Sequence, residues 1–153
     1  MGILTLYLKA FGISLVPVLE LRGSLIWAAA AGLDPIMSSF VCGIGNLLPV
    51  PFLIKFVRPV FELMRSKSRT LGRIVEKLEK KAEDKSAVIK KYEMLGLFIL
   101  VAIPLPGTGA WTGSLVAAML DMRIKDSFPM IALGVLAAGV VVTLASFGVT
   151  LII

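Results

Sequence analysis

The sequence predicts an all-α integral membrane protein with two inverted repeats. Each repeat is a re-entrant (broken) helical hairpin plus a transmembrane helix, and a basic cytoplasmic amphipathic helix joins the two. Three observations predict this class. The 153 residues are 58% hydrophobic and 17% charged, the net charge is confined to one central segment, and proline and glycine interrupt two apolar stretches whose lengths do not suit a simple span.

The composition excludes several functions. The chain has no histidine, which removes histidine-ligated zinc, Ser-His-Asp and Cys-His catalysis. Its single cysteine, Cys42, excludes an internal disulfide and any multi-cysteine metal site. We therefore expect one membrane domain over residues 1–153 that has no cofactor, binds no metal and is not an enzyme.

The charge pattern predicts the orientation. Between Lys55 and Glu93 there are twelve basic and six acidic residues, which account for the whole net charge of +6. By the positive-inside rule this segment lies in the cytoplasm of a plasma-membrane protein. Because membrane-type sequence flanks it on both sides, we expect no nucleic-acid binding. The three- and four-residue spacing of apolar residues from Leu71 to Tyr92 predicts a helix, which either lies on anionic headgroups or is a solvated connector.

The first repeat covers residues 1–56. As one helix, residues 3–33 would be roughly 46 Å long, too long for a ~30 Å core and too short for two spans and a turn. Two short helices with a break around residues 17–23 fit better. Residues 35–56 are long enough to cross, and Asp34 followed by Pro35 is a typical helix start.

A linker helix over residues 57–93 and a second repeat over residues 94–153 follow. Residues 94–120 contain a proline- and glycine-rich run at 104–109, which a continuous helix cannot carry. Residues 128–153 form the last span, for which Ser127 is the expected N-cap. A shift of 87 residues aligns Pro17 with Pro104 and Asp34 with Asp121. The two units would then be inverted hairpins; broken spanning helices are the alternative.

Glu20 and Arg22 are the first candidate site residues. Each costs about 2.5–3.5 kcal/mol in an apolar segment, so they are candidates for function. In extended backbone, residues two apart point the same way, so an unwound tip ending at Gly23 would aim both at one cavity. The alternative is a structural ion pair that holds the hairpin together.

The second candidate cluster follows the second break. Helices that begin near Gly23 and Gly109 would point their N-termini at the membrane centre, which favours an anionic group. Close packing of Gly109 and Gly113 is the alternative explanation for these glycines. For Asn46 we expect mainly a structural role, in which its buried amide bonds to a hairpin tip, and only secondarily a role in lining the site. The cluster consists of Pro104, Pro106, Gly107, Thr108, Gly109 and Trp111.

Several of these motifs together resemble the putative small multidrug export protein family. They are the Glu20-Leu21-Arg22-Gly23 turn and the segments 45–52, 101–113 and 133–136. The chain is also similar, more distantly, to the DedA membrane protein superfamily. That similarity implies facing re-entrant hairpins, and members of the superfamily are linked to movement of lipid phosphates or phospholipids. DedA proteins carry arginines that flank the proline of their second hairpin, and at about those positions this chain has Val101 and Gly107.

These observations predict a small transporter, exporter or lipid flippase, with membrane lipids around it and a homodimeric state. A small amphipathic or anionic substrate would bind between the hairpin tips, held by Arg22 and the two helix N-termini, with Glu20 as a protonatable coupling residue. A cation-drug/proton antiporter is one alternative, although Arg22 would repel a cation. A membrane scaffold that uses the basic residues 65–91 to bind lipid or a partner protein is the other.

Overall fold

The computed structural model describes residues 2–105 and 107–152, with side chains at all of these except 82, 85–91, 93 and 150–152. Within those residues the fold is entirely α-helical, as predicted, with no strand. The seven helices in chain order are α1 (Ile3–Ser14), α2 (Glu20–Ala30), α3 (Pro35–Leu47), α4 (Val50–Lys67), α5 (Arg69–Ala102), α6 (Ala110–Met119) and α7 (Ile124–Ile152).

Helix breaks occur in both stretches where the sequence predicts them. The first break is residues 15–19, between α1 and α2, and the second break is residues 103–109, between α5 and α6. The helices α1, α2 and α6 contain 12, 11 and 10 residues. At 1.5 Å per residue they are roughly half as long as a ~30 Å bilayer core is thick. Their lengths are compatible with hairpins that turn back inside the membrane, and that topology stays a prediction.

Two segments are long and apolar enough to cross a membrane by length and composition, Pro35–Lys67 and Ile124–Val149. The first is longer than the predicted span over residues 35–56, and it is interrupted at Leu48 and Pro49, where α3 gives way to α4. Asp34 caps α3 as expected, because its Oδ1 accepts a hydrogen bond from the Met37 N–H at 2.7 Å.

Two predicted helix boundaries are wrong. The helix α7 begins at Ile124, so Ser127 lies inside it and its hydroxyl donates to the Arg123 carbonyl at 2.9 Å. The basic segment is divided at Ser68 between α4 and α5, and α5 then continues to Ala102. Residues 57–93 are therefore not a separate linker helix. The basic segment is continuous with the helix that leads into the second break.

The helices pack around one large buried apolar cluster, with a smaller cluster around Val116 of α6. The helix α2 contacts α1, α3 and α7, while α5 contacts α4, α6 and α7. Three close approaches depend on glycine: a methyl group at Gly45 would overlap Ser14 of α1, and methyl groups at Gly113 and Gly134 would meet Val101 of α5. The fully buried apolar side chains at the centre include Leu25, Leu97, Val101 and Ile131.

The outer faces of α3 and α7 are strongly apolar. Ile36 and Phe40 on α3 are 82% and 66% exposed, and Leu144 on α7 is 71% exposed. Soluble monomers rarely expose large contiguous patches of such side chains. These faces are suited to lipid rather than to water, which agrees with the composition of the two candidate spans.

Candidate functional site

Glu20 connects the two breaks. It is the first residue of α2 and only 5% exposed. Its Oε1 accepts a hydrogen bond from the backbone N–H of Trp111 at 3.1 Å, in the first turn of α6. The first N–H groups of a helix have no partner within the helix, and the helix dipole there favours negative charge. A carboxylate from α2 thus takes the place of an N-cap for α6.

Gly109 makes the space for this contact. It is the N-cap residue of α6, with φ of 126°, and as a glycine it has no side chain that could make a cap hydrogen bond. A methyl group at this position would overlap the carboxylate of Glu20. Glycine is thus required here both by the backbone conformation and by the approach of Glu20.

Arg22 binds the other end of the second break. Its guanidinium donates hydrogen bonds to the carbonyl of Leu105, to the carbonyl of Ile103 at 3.1 Å and to Oγ1 of Thr108 at 2.8 Å. The Thr108 hydroxyl in turn lies 2.8 Å from the Ile103 carbonyl oxygen and 2.7 Å from that of Leu105. Arg22 therefore occupies the carbonyl groups that follow the C-terminus of α5.

The two charges are not a salt bridge with each other. The ion pairs between described residues are Arg58–Asp121, Arg65–Glu79 and Arg123–Asp126. Arg22 instead uses polar groups of the second break, mostly from the main chain, and Glu20 uses the Trp111 N–H in the first turn of α6. The predicted extended backbone is also wrong, because both residues belong to α2, which Glu20 begins with φ of 49°. In place of an ion pair within the first hairpin, the two residues hold α2 to the second break and to α6.

A cavity of about 360 Å³ lies between the two breaks, and we call it the tip cavity. Thr112 lies at its side, where its hydroxyl donates to the Gly107 carbonyl at 3.1 Å. Small-molecule sites typically measure about 300–1,000 Å³. The cavity is lined by Pro17, Val18, Leu19, Glu20, Arg22, Lys81, Pro104, Gly107, Thr108 and Thr112.

A second cavity of about 360 Å³, here called the apolar cavity, adjoins the first. Trp111 forms part of its wall, and the indole Nε1 of this residue is buried away from the cavity without a hydrogen-bond partner among the described residues. The cavity is lined by Pro17, Val18, Leu53, Val57, Phe61, Leu78, Lys81, Trp111, Thr112 and Leu115.

Two predicted site residues lie elsewhere, and a third is not among the described residues. Gly23 is inside α2, packed against the side chain of Leu19, and lines neither cavity. Asn46 is 2% exposed on α3, lines neither cavity, and its Oδ1 has no partner in the described part of the chain. The predicted contact between Asn46 and a hairpin tip is therefore not observed. Pro106 lies outside the described residues.

Lys81 was missed by the sequence analysis. It lines both cavities, although it comes from the basic segment. A straight helix would separate Lys81 from Pro104 by roughly 34 Å, so α5 must bend between them for both to line the tip cavity. Nothing in the local sequence around Lys81 signals this contact. No group of three or more cysteine, aspartate or glutamate residues among those described is placed to hold a metal ion.

The contact of α2 with the second break and with the start of α6 is here called the junction. The fold and the junction define a helical membrane protein in which two broken helical segments meet through a buried carboxylate, Glu20, and a half-buried guanidinium, Arg22. A family model described as "Putative small multi-drug export protein" matches residues 20–141. The chain belongs to this family, and the match includes the lining residues of both cavities except Pro17, Val18 and Leu19. Neither the curated proteins nor the solved structures contain a match to the chain. The more distant similarity to DedA proteins stays a prediction.

Proposed function

We propose that the protein is a small membrane transporter, an exporter or a lipid flippase, whose substrate binds in the tip cavity. The observation that carries this proposal is the cavity at the junction, which lies between two helix breaks and is lined by a buried carboxylate and a guanidinium. Broken helices with exposed main-chain groups near mid-membrane are the usual binding elements of secondary transporters. Membership of a family described by multi-drug export supports the same function.

The hydrogen bonds at the junction suit a gate. The contact made by Glu20 depends on its negative charge, because a carboxylate is stabilised by the N–H groups and the dipole at the start of α6. Protonation would remove that charge and weaken the contact between α2 and α6. A proton could thus favour the state in which the two breaks separate and the tip cavity opens. In this mechanism Glu20 is the coupling residue, and Arg22 keeps α2 attached to the second break.

A purely structural staple would use the same hydrogen bonds, and Glu20→Gln separates the two roles. The glutamine side-chain oxygen can still accept from the Trp111 N–H, so we expect a loss of only about 1 kcal/mol of stability. It cannot change its charge, so proton-driven flux should fall to the level of protein-free liposomes. The measurement is flux in proteoliposomes, with and without a pH gradient, of anilinonaphthalene sulfonate, ethidium and a fluorescent phospholipid.

Glu62→Gln is the matched control, since Glu62 is an exposed carboxylate on α4 that lines neither cavity. It should leave flux unchanged. If Glu20→Gln transported with an undiminished dependence on pH, Glu20 would have no part in coupling. If the wild-type protein moved none of the three probes, the transport function itself would be contradicted for these substrate classes.

A cation-drug/proton antiporter is the second candidate, and the family description is what favours it. The charges around the tip cavity oppose it. Arg22 and Lys81 both line the cavity, and Glu20, the one carboxylate among its described lining residues, is engaged by the N-terminus of α6. A cation would enter against two positive charges.

A further inference from the structure

The tip cavity and the apolar cavity adjoin each other. They share four lining residues, namely Pro17, Val18, Lys81 and Thr112. Each measures about 360 Å³, so each alone is near the lower limit for a small-molecule site. A ligand that used both would have one end among polar groups and the other among leucine, valine and aromatic side chains.

Lys81 is the charged residue at the boundary of the two cavities. Arg22 already donates to two carbonyl groups and one hydroxyl, and Glu20 accepts from the start of α6. The Lys81 ammonium group takes part in none of the ion pairs among the described residues. It is therefore the positive charge best able to pair with a group that enters the cavity.

We propose that the two cavities together take one amphiphilic anion of drug size. Its apolar body lies in the apolar cavity against Trp111, and its anionic head lies beside Lys81 at the entrance to the tip cavity. This inference rests on the proposed transport function and names the substrate class of that site. The volumes suit one compact, drug-sized body.

Two ions of nearly identical shape and opposite charge test the proposal directly. Tetraphenylborate and tetraphenylphosphonium are titrated calorimetrically into the purified full-length protein in detergent, and the heat of titration into empty micelles is subtracted. We expect the wild-type protein to bind the borate more tightly than the phosphonium. Lys81→Gln should lower the affinity for the borate by about three- to fivefold, as for loss of a partly exposed ion pair, and should not weaken phosphonium binding.

Lys80→Gln is the matched control for charge, because Lys80 is also exposed but lines neither cavity. It should leave both affinities unchanged. Leu53→Trp tests the apolar cavity by filling it, and it should weaken borate binding in the presence of Lys81. A wild-type preference for the phosphonium, an equal loss in Lys80→Gln and Lys81→Gln, or unaltered borate binding in Leu53→Trp would each overturn the proposal.

The binding experiment does not depend on transport. Borate binding with the expected response to Lys81→Gln would support the anion site even if no probe crossed the membrane in the flux assay. The opposite result is also informative. If proton-driven flux required Glu20 but Lys81→Gln did not change the preference between the two ions, the transport function would be supported and the anion site contradicted.

Discussion

At the scale of single residues, Glu20 has an uncommon backbone conformation. Its φ is 49°, in the left-handed region that residues other than glycine seldom occupy, at a cost of about 1–3 kcal/mol. The surrounding structure offsets this cost, because the conformation places the carboxylate in the space beside Gly109 at the start of α6. Such strain is typical of functional positions, and here it aims one buried charge at one helix end.

Gly109→Ala tests this arrangement. The new methyl group would overlap the Glu20 carboxylate, and alanine is poorly suited to φ of 126°. We expect a loss of about 1–3 kcal/mol in stability, measured by thermal unfolding in detergent. Gly12→Ala is the control, since nothing lies within 4 Å of the added methyl in α1, and it should be neutral or stabilising. Equal stability of both variants would contradict the close approach of Glu20.

The sequence predicted the candidate residues better than their partners. Glu20 and Arg22 stand out because a charge in an apolar segment is costly. Their partners are mainly backbone groups at Ile103, Leu105 and Trp111, and every non-proline residue carries the same N–H and C=O. No sequence pattern could distinguish those groups. Lys81 was missed for a related reason, because its contact depends on the bend of α5.

At the scale of helices, Val101 is where three of them meet most closely. It is 1% exposed, and it lies between Gly113 of α6 and Gly134 of α7. A methyl group at Gly113 would come within 2.6 Å of its Cγ2, while one at Gly134 would come within 2.6 Å of its Cβ. The two glycines thus accommodate different atoms of the same valine.

This difference predicts which variant can be rescued. Gly113→Ala and Gly134→Ala should each cost about 1–3 kcal/mol. In a Val101→Ala background the cost of Gly113→Ala should largely disappear, because the obstructing Cγ2 is gone. The cost of Gly134→Ala should persist, because the Cβ of residue 101 and the Phe98 carbonyl oxygen at 3.1 Å remain. Double-mutant cycles on unfolding free energies measure both; equal rescue of the two glycine variants would refute this packing.

The helix boundaries show which sequence signals are reliable. Asp34 with Pro35 correctly marked the start of α3, since a cap and a proline act locally. The expected boundary at residue 93 rested on a change from charged to apolar composition, and such a change alters the surroundings of a helix without ending it. Ser68, which accepts a hydrogen bond from the Thr70 N–H at 3.3 Å, is the cap that starts α5. A serine at this position is itself a local N-cap signal in the sequence.

At the scale of the whole chain, the two units correspond at their breaks and diverge afterwards. Under the shift of 87 residues Glu20 aligns with Gly107, and both have positive φ, 49° and 78°. The helices α3 and α7, however, begin at Pro35 and Ile124, which are 89 residues apart. Asp34 caps α3, whereas Asp121 has φ of 54° in the turn after α6. The aligned aspartates therefore have different local roles, and inversion of the units stays a prediction.

Cysteine accessibility tests the inverted topology. After Cys42→Ala, single cysteines at Asp34 and Asp121, both exposed, are labelled in intact cells with a membrane-impermeant maleimide. Inverted hairpins predict that Asp34→Cys reacts from outside and Asp121→Cys only after the cells are opened. Lys67→Cys in the basic segment should behave like Asp121→Cys, since the positive-inside rule places this segment in the cytoplasm.

Labelling of Asp34→Cys and Asp121→Cys from one common side would instead indicate broken spanning helices. Asp34→Cys also removes the α3 cap, which costs about 1 kcal/mol, so the folded state of each variant is verified by gel filtration before labelling. The fold and its cavities are unaffected by either outcome; what changes is the side of the membrane from which each break is reached.

The anchoring of Glu20 and Arg22 to main-chain atoms has a consequence for mutational tolerance. A substitution at Ile103 or Leu105 exchanges a side chain but leaves the carbonyl oxygen that Arg22 holds, and at Trp111 only proline would delete the N–H that Glu20 requires. Positions 103, 105 and 111 can therefore change their side chains while the backbone contacts to Arg22 and Glu20 are retained, unlike Thr108 and Gly109, whose own atoms or lack of them are needed. Glu20 and Arg22, both in the first half of the chain, thereby constrain the backbone conformation of the second half far more than they constrain its amino-acid sequence.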